Sequence, residues 1–386
     1  MAIFSVELER LRSRRSIKWA RWEPDVLPMF VAEMDVETVP AVAERLQQLI
    51  AEGDFGYPEL PVYQEAFASF ADWMWDWKLD PARDIRLAGD VMSGMRELTL
   101  ATTEPGDAVV VNPPIYPPFR AVVRGSGRRL VEVPMTAAGR LDLDALAEAF
   151  AAERPSAYLL CSPHNPNGTV HTRAELETVA VLASQYNVTV ISDEIHAPLA
   201  GAAHVPFTSV PGAERSVVVT SAAKSWNLAG LKAAVLVAGS EAHDVLDGLP
   251  GHVAESASHV AIEAHSAALD GGRDWLRRAS DEIAQNKLHL RSELERLLPR
   301  VPYEPSEGTY LAWLDCSALG LEHAGRHFHT VGRVRFNFGT DFDSAAGQFV
   351  RMNVATSPEL ITEGVRRMAA SLEHTPERWR GRRSGA

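Results

Sequence analysis

Cysteine is almost missing from this 386-residue chain: only Cys161 and Cys316 occur, so at most one disulfide could form. That excludes a disulfide-stapled secreted scaffold and fits a reducing compartment in which both thiols stay free. Long hydrophobic runs are missing too. No apolar stretch approaches the roughly 20 residues that a membrane helix needs. The N-terminus, Met1 to Arg10, is charged early and has no apolar signal core. Positive charge is in deficit, with 38 Lys and Arg against 51 Asp and Glu, a formal charge of -13. This balance argues against nucleic acid or an anionic membrane as the main partner, while leaving room for a local basic pocket that takes a small anion. No internal repeat or low-complexity block stands out. The expectation is a cytoplasmic protein with neither a nucleic-acid nor a membrane partner and no metal centre. What is present is ordinary for a soluble globular protein: 46% hydrophobic and 23% charged residues, enough for a substantial core and two or three domains.

From about residue 85 to 240, short β-rich runs alternate with helical patterns. The runs are Ala108–Val111, Leu130–Val133, Ala157–Cys161, Val188–Ser192, Ser216–Thr220 and Ala233–Ala238. Continuously apolar rather than alternating, they read as strands buried on both faces. Helical patterns such as Leu141–Ala152 and Arg173–Tyr186 supply the crossovers. A mostly parallel α/β sheet follows, and ligands in such sheets bind beyond the carboxyl ends of the strands. Residues 252–298 read as long helices. From about 299 short strands and helices return, as in Thr309–Leu314, and indicate a smaller α+β domain. The expected division is an N-terminal segment, 1–39, that joins the small domain, a large domain over 40–290, and the small domain over 291–386. The basic, Gly- and Ser-bearing tail after about His374 is expected to be loosely ordered.

Two residues at the ends of neighbouring strands carry the chemistry. Asp193 closes the run Val188–Ser192, and Lys224 follows Ser216–Thr220 within Ser221-Ala222-Ala223-Lys224-Ser225-Trp226-Asn227. A pyridine aldehyde cofactor needs both: a lysine to condense with the aldehyde and a carboxylate to keep the ring nitrogen protonated. An arbitrary lysine is usually a solvated surface group. Here small neighbours leave space for a bulky cofactor, and partial desolvation suits imine chemistry. Asp193 could be only an acidic turn after a strand, and His196, three residues on, either shapes the ring's floor or merely packs.

Other residues join this pair by position. Asn165, in Ser162-Pro163-His164-Asn165-Pro166-Asn167-Gly168, sits in what is either a tight turn or a rigid site loop whose amide binds a ring oxygen and a substrate carboxylate. Tyr116, hemmed by prolines between Asn112 and Phe119, packs its loop or stacks on the cofactor. Ser93-Gly94-Met95, read as a helix start, offers N–H groups to a phosphate, with Ser221 adding a hydroxyl and Lys232 a charge. Arg351, in an apolar run, needs an acidic partner; a substrate carboxylate and a structural salt bridge both qualify.

Read together, these segments resemble the pyridoxal-phosphate enzymes of fold type I in the class I/II aminotransferase superfamily, and within it the MalY/PatB group of cystathionine β-lyases. The likeness runs through Phe30-Val31-Ala32-Glu33-Met34-Asp35, Phe55-Gly56-Tyr57, Pro114 to Phe119, Cys161 to Pro166 and Asp193-Glu194-Ile195-His196. It continues in Lys224 to Lys232, Glu307 to Leu311 and Phe349 to Asn353. It implies pyridoxal 5'-phosphate bound covalently by Lys224, its ring nitrogen by Asp193, its ring stacked by Tyr116, its ring oxygen held by Asn165, and the substrate carboxylate held by Arg351. It also implies a homodimer with shared active sites, in which Tyr57 reaches the neighbouring subunit's cofactor phosphate. Departures are Glu33 where Asp is common, Ala223 where a phosphate-binding Ser is frequent, Lys232 where Arg is frequent, and Asp343 where the group usually has Gly.

The implied reaction is α,β-elimination of cystathionine or a related L-cysteine S-conjugate to a thiol, pyruvate and ammonia, with Lys224 as base and Lys224 or Tyr116 as acid. The residues alone serve an aminotransferase equally well. A tailoring enzyme for an unusual conjugate, and a lyase with a second, regulatory binding role, are the further alternatives.

Overall fold

The computed structural model describes residues 2–59 and 61–373. The tail after His374, expected to be loosely ordered, lies outside them. The chain parts into two compact units. One comprises residues 1–37, 166–168 and 278–386, the other residues 38–165 and 169–277. The change expected near 290 falls inside one continuous helix, Arg273–Leu297, so no break in helical pattern marks it.

The larger unit is built on a seven-stranded sheet. Its strands are β1 (Ile85–Ala88), β2 (Ala108–Val111), β3 (Arg129–Glu132), β4 (Ala157–Cys161), β5 (Thr189–Asp193), β6 (Val217–Thr220) and β7 (Ala234–Ala238). Their order is β1-β7-β6-β5-β4-β2-β3. All neighbours run parallel except β7, which is antiparallel to both β1 and β6. Every residue of β2, β4, β6 and β7 is buried, which accounts for their unbroken apolar runs. Each such Val or Leu contributes about 1.5–3 kcal/mol on burial. The strand missed in the sequence is β1, Ile-Arg-Leu-Ala, whose edge position leaves its two middle residues half-buried.

Helices used below are α1 (Val62–Trp75), α2 (Val91–Thr102), α3 (Pro117–Gly125), α4 (Arg173–Tyr186), α5 (His259–Gly271) and α6 (Arg273–Leu297). Their starts follow local chemistry. Thr172 and Glu175 form a reciprocal capping box at α4, and Ser258 caps α5. The cap of α2 is Asp90, so this helix begins at Val91, two residues before the expected Ser93. It lies directly on the sheet. A Cβ on Gly94 would come 2.7 Å from the end of the Leu236 side chain and 3.2 Å from Ala88 Cβ, so a larger residue would have to displace Leu236.

The smaller unit carries a three-stranded antiparallel sheet of β8 (Leu311–Asp315), β9 (Asn337–Phe338) and β10 (Phe349–Asn353), in the order β9-β10-β8. Its last helix is α7 (Pro358–Glu373). The N-terminal segment belongs to this unit through Leu27–Pro28, which pairs in parallel with Val334–Arg335. A buried network fixes the stretch that follows. Lys18 Nζ is 2.7 Å from Asp35, Trp19 Nε1 donates to the same carboxylate, and Asn353 Nδ2 donates to the carbonyls of Val31 and Glu33. Among the described residues no helix is long and apolar enough to cross a membrane.

Candidate active site

Two acids end β5 side by side, and their surroundings give them opposite tasks. Glu194 is buried and fully engaged: Ser192 Oγ and Phe207 N donate to one oxygen at 2.9 Å, and His204 Nε2 lies 2.8 Å from the other. Asp193, also buried, accepts from Ile195 N at 3.1 Å. Burial pushes its carboxyl up to about 7, and Glu194 adds to the rise, while the Ile195 N–H and the charge of Lys224 oppose it. A buried carboxylate so poorly compensated is an electrostatic seat for a cation. A protonated pyridine nitrogen fits it.

Lys224 stands half-buried in the segment after β6. Sequence reasoning found the lysine but not what holds its loop. Ser221 Oγ donates to Ala233 O at 2.7 Å and accepts from Ala223 N at 3.1 Å. Tyr63 Oη, from α1, accepts from Ala222 N at 3.2 Å and lies 3.1 Å from His265 Nδ1 on α5. His265 Nε2 in turn meets Leu231 O at 2.9 Å. Trp226 is buried against Phe70 and donates to Gly272 O. A tyrosine in one apolar helix and a histidine in another read as core in sequence; nothing local marks them.

The two loops beyond β2 and β4 are tied together by another histidine. His164 Nε2 is 2.8 Å from Pro114 O, and since a carbonyl only accepts, this nitrogen carries the proton. Burial lowers His164 to about 4, so the ring is neutral. The link joins the Asn165 loop to the Tyr116 loop. Asn165 is buried, and Tyr116 is half-buried as the residue that caps α3. Ser162 N donates to Asp193 O, so the Asn165 loop starts from the same strand end as the acid. His196 is buried at the start of the short helix Ala197–Ala200.

The phosphate candidates are more committed than their sequence suggests. Ser93 N and Oγ are both engaged with Asp90, and Gly94 N donates to Asp90 O; Met95 is buried within α2. The first-turn N–H groups of Val91 and Met92 are those without an intrahelical acceptor. Lys232 Nζ is 3.0 Å from Asp90, and the Ser221 hydroxyl hydrogen goes to Ala233 O.

Arg351, in the smaller unit, is buried on β10. Its Nη2 donates to Phe30 O at 3.0 Å and to Asn337 Oδ1 at 2.5 Å, and the guanidinium lies 4.7 Å from the centre of the Phe342 ring. These three partners are neutral ones. Tyr57, in the larger unit, is 98% exposed.

A family model described as aminotransferase class I and II matches residues 24–382. A candidate cystathionine beta-lyase from Mycobacterium leprae is 43% identical, over 95% of this chain and 96% of its own. The cystathionine beta-lyase of Corynebacterium glutamicum is 32% identical, over 95% of this chain and 99% of its own. Among solved structures, a candidate PLP-dependent beta-cystathionase from Corynebacterium diphtheriae is similar with a TM-score of 0.92 at 30% identity. That match covers 97% of this chain and all of the other.

Proposed function

This chain belongs to the aminotransferase class I and II family, and from that premise we propose a pyridoxal-phosphate-dependent carbon–sulfur lyase. Its substrate is L-cystathionine or a related L-cysteine S-conjugate, cleaved to a thiol, pyruvate and ammonia. The observation that carries the cofactor is the buried, undercompensated carboxyl of Asp193, with the charge of Lys224 acting on it. The full-length likeness to cystathionine beta-lyases carries the choice of reaction.

The chemistry pyridoxal phosphate supplies when bound is an electron sink for the pair left at the substrate's Cα. Asp193 would hold the ring nitrogen's positive charge and would itself be kept ionised by it. Lys224 would be the residue that holds the aldehyde group, and its Nζ, once free, is the base for the Cα proton. A thiol of pKa about 8.5 leaves without a strong acid, and the Lys224 ammonium or the Tyr116 hydroxyl delivers a proton to the sulfur. Tyr116 would also lie against the ring, and Asn165, on its stiff loop, would hold the ring oxygen. His196 shapes the floor. Arg351, already oriented by Phe30 and Asn337, receives the substrate carboxylate in its planar fork.

For the phosphate, the N–H groups of Val91 and Met92 and the Lys232 ammonium are the donors, Lys232 exchanging its present partner Asp90. The chain works as a homodimer in the cytoplasm. Ile50, Phe55 and Tyr57, all exposed apolar or aromatic residues close in sequence, support a subunit contact there, through which Tyr57 reaches the partner's phosphate. Both thiols are free and buried, in keeping with a reducing compartment.

The test is turnover of L-cystathionine with pyridoxal phosphate and no 2-oxo acid. Pyruvate and thiol released in equal amounts support the lyase. Strict dependence on an added 2-oxo acid makes the chain an aminotransferase instead.

A further inference from the structure

The strongest unassigned feature is the buried polar chain beneath the Lys224 loop. Tyr63, Ser221 and His265 are all buried, and neither Tyr63 nor His265 has a part in the chemistry above. Proton bookkeeping gives the chain one direction. Leu231 O can only accept, so His265 Nε2 carries a proton. Burial lowers His265 to about 4, which leaves the ring neutral and Nδ1 a bare acceptor at neutral pH. The 3.1 Å contact is therefore donated by the Tyr63 hydroxyl. Tyr63 Oη is then free to accept from Ala222 N, as its 3.2 Å distance shows. Burial raises the Tyr63 phenol to about 12, so it keeps its proton.

The chain accordingly reads Ala222 N–H to Tyr63 O–H to His265, and His265 N–H to Leu231 C=O. It connects the two stems of the segment that carries Lys224, using one side chain from α1 and one from α5. Ser221 Oγ makes a parallel tie between the same stems through Ala233 O, and stands 3.5 Å from His265 Nδ1 as an alternative donor. The two rings also meet edge to face, with centroids 5.3 Å apart. An exchange of any one protonation state would put two donors or two acceptors in contact.

We propose that Tyr63 and His265 are positioning residues that clamp the Lys224 loop and so set the placement and reactivity of the Lys224 amine. This rests on the assignment of Lys224 as the working lysine, though the test below does not require the cofactor. Neither residue touches the reacting atoms; both act through Ala222 and Leu231.

The experiment measures pH-dependent acylation of individual lysines in the cofactor-free chain by peptide mass spectrometry, with the exposed Lys78, outside the clamped segment, as internal reference. Tyr63→Phe removes one oxygen and keeps the ring; His265→Leu removes both polar partners. His265→Gln retains one acceptor and one donor on a planar group. Loss of one internal hydrogen bond shifts a local opening equilibrium about fivefold. Lys224 labelling should therefore change about fivefold, or shift its pH midpoint, in Tyr63→Phe and His265→Leu, with Lys78 unaltered and His265→Gln close to wild type. A second readout is the pH titration of the visible band after cofactor loading, which should move in the same variants. A lower melting temperature with unchanged Lys224 labelling and an unchanged band would overturn the proposal and reduce the pair to core stabilisation. If Tyr63→Phe fails to fold, the comparison of His265→Gln with His265→Leu decides alone. A wild type that binds no cofactor would sink the proposed function while leaving the labelling comparison to stand or fall by itself.

Discussion

Asp193 and Glu194 show how much one position along a strand end can matter. Both are buried carboxyls, yet only Glu194 has its charge matched by donors on every side. For Asp193 the folded chain prefers the proton: its pKa is raised to about 7 from an unfolded value near 3.9. Between those values the native state binds more protons than the unfolded chain, so the stability that protonated Asp193 confers is lost as pH rises toward 7. In the cofactor-free protein Asp193→Asn should therefore be stabilising at pH 8, by about 1–4 kcal/mol, and close to neutral at pH 4, as read by urea unfolding. The same variant should bind pyridoxal phosphate far more weakly. Glu194→Ala should do the opposite, costing about 3 kcal/mol through orphaned donors with no change in the shape of the cofactor spectrum. A third substitution concerns the phosphate. Asp90→Asn keeps an equally good helix cap but removes the carboxylate that competes for Lys232. Cofactor affinity measured by absorbance titration should rise several-fold. At this scale the sequence marks Asp193 and Lys224 as candidates because each follows an apolar run, and the structure sets them at the ends of the adjacent strands β5 and β6. It was mute on Tyr63 and His265, whose meaning lies in contacts between helices far apart in the chain.

At the scale of elements, continuous apolar runs located six of the sheet's strands to within about a residue of their observed limits. For β2, β4, β6 and β7 the reason is burial on both faces, which keeps most polar residues out of the run. Strand β3, expected to be buried likewise, is instead the sheet's other edge, with Leu130 and Val131 half-buried between exposed Arg129 and Glu132. The edge strand β1 escaped because its exposed side admits Arg86, and the start of α2 was misplaced because Asp90 and Ser93 cap it together. The loops that leave the sheet are fixed by neutral histidines. His164 and His265 are lowered to about 4 and His171 to about 3, all by burial, against an unfolded value near 6.5. The unfolded chain then binds more protons than the native one in that window. Their contribution is fully present above about pH 6.5 and is lost as pH falls toward about 4. Urea midpoints between pH 7 and 5 should decline, Asp193 opposing part of the loss, and the decline should be shallower in His265→Gln.

For the whole molecule, acidity and the near absence of cysteine bounded the class of protein, and residue order bounded the family. The division into units was harder to read, since α6 runs through the boundary without interruption. The Lys18–Asp35 pair is likewise invisible in the sequence, since it forms only where the N-terminal segment folds back on itself. Sedimentation of the purified chain should give twice the chain mass, and Tyr57→Ala should weaken cofactor binding without dissociating the dimer. Everything chemical still depends on the strand ends of β5 and β6. The direct measurement is titration of the cofactor-free protein with pyridoxal phosphate, followed by borohydride reduction and peptide mapping. The account predicts a visible band that saturates at one cofactor per chain, with the reduced adduct on Lys224 and no such band in Lys224→Ala. A wild type that stays colourless, or an adduct spread over other lysines, would contradict it.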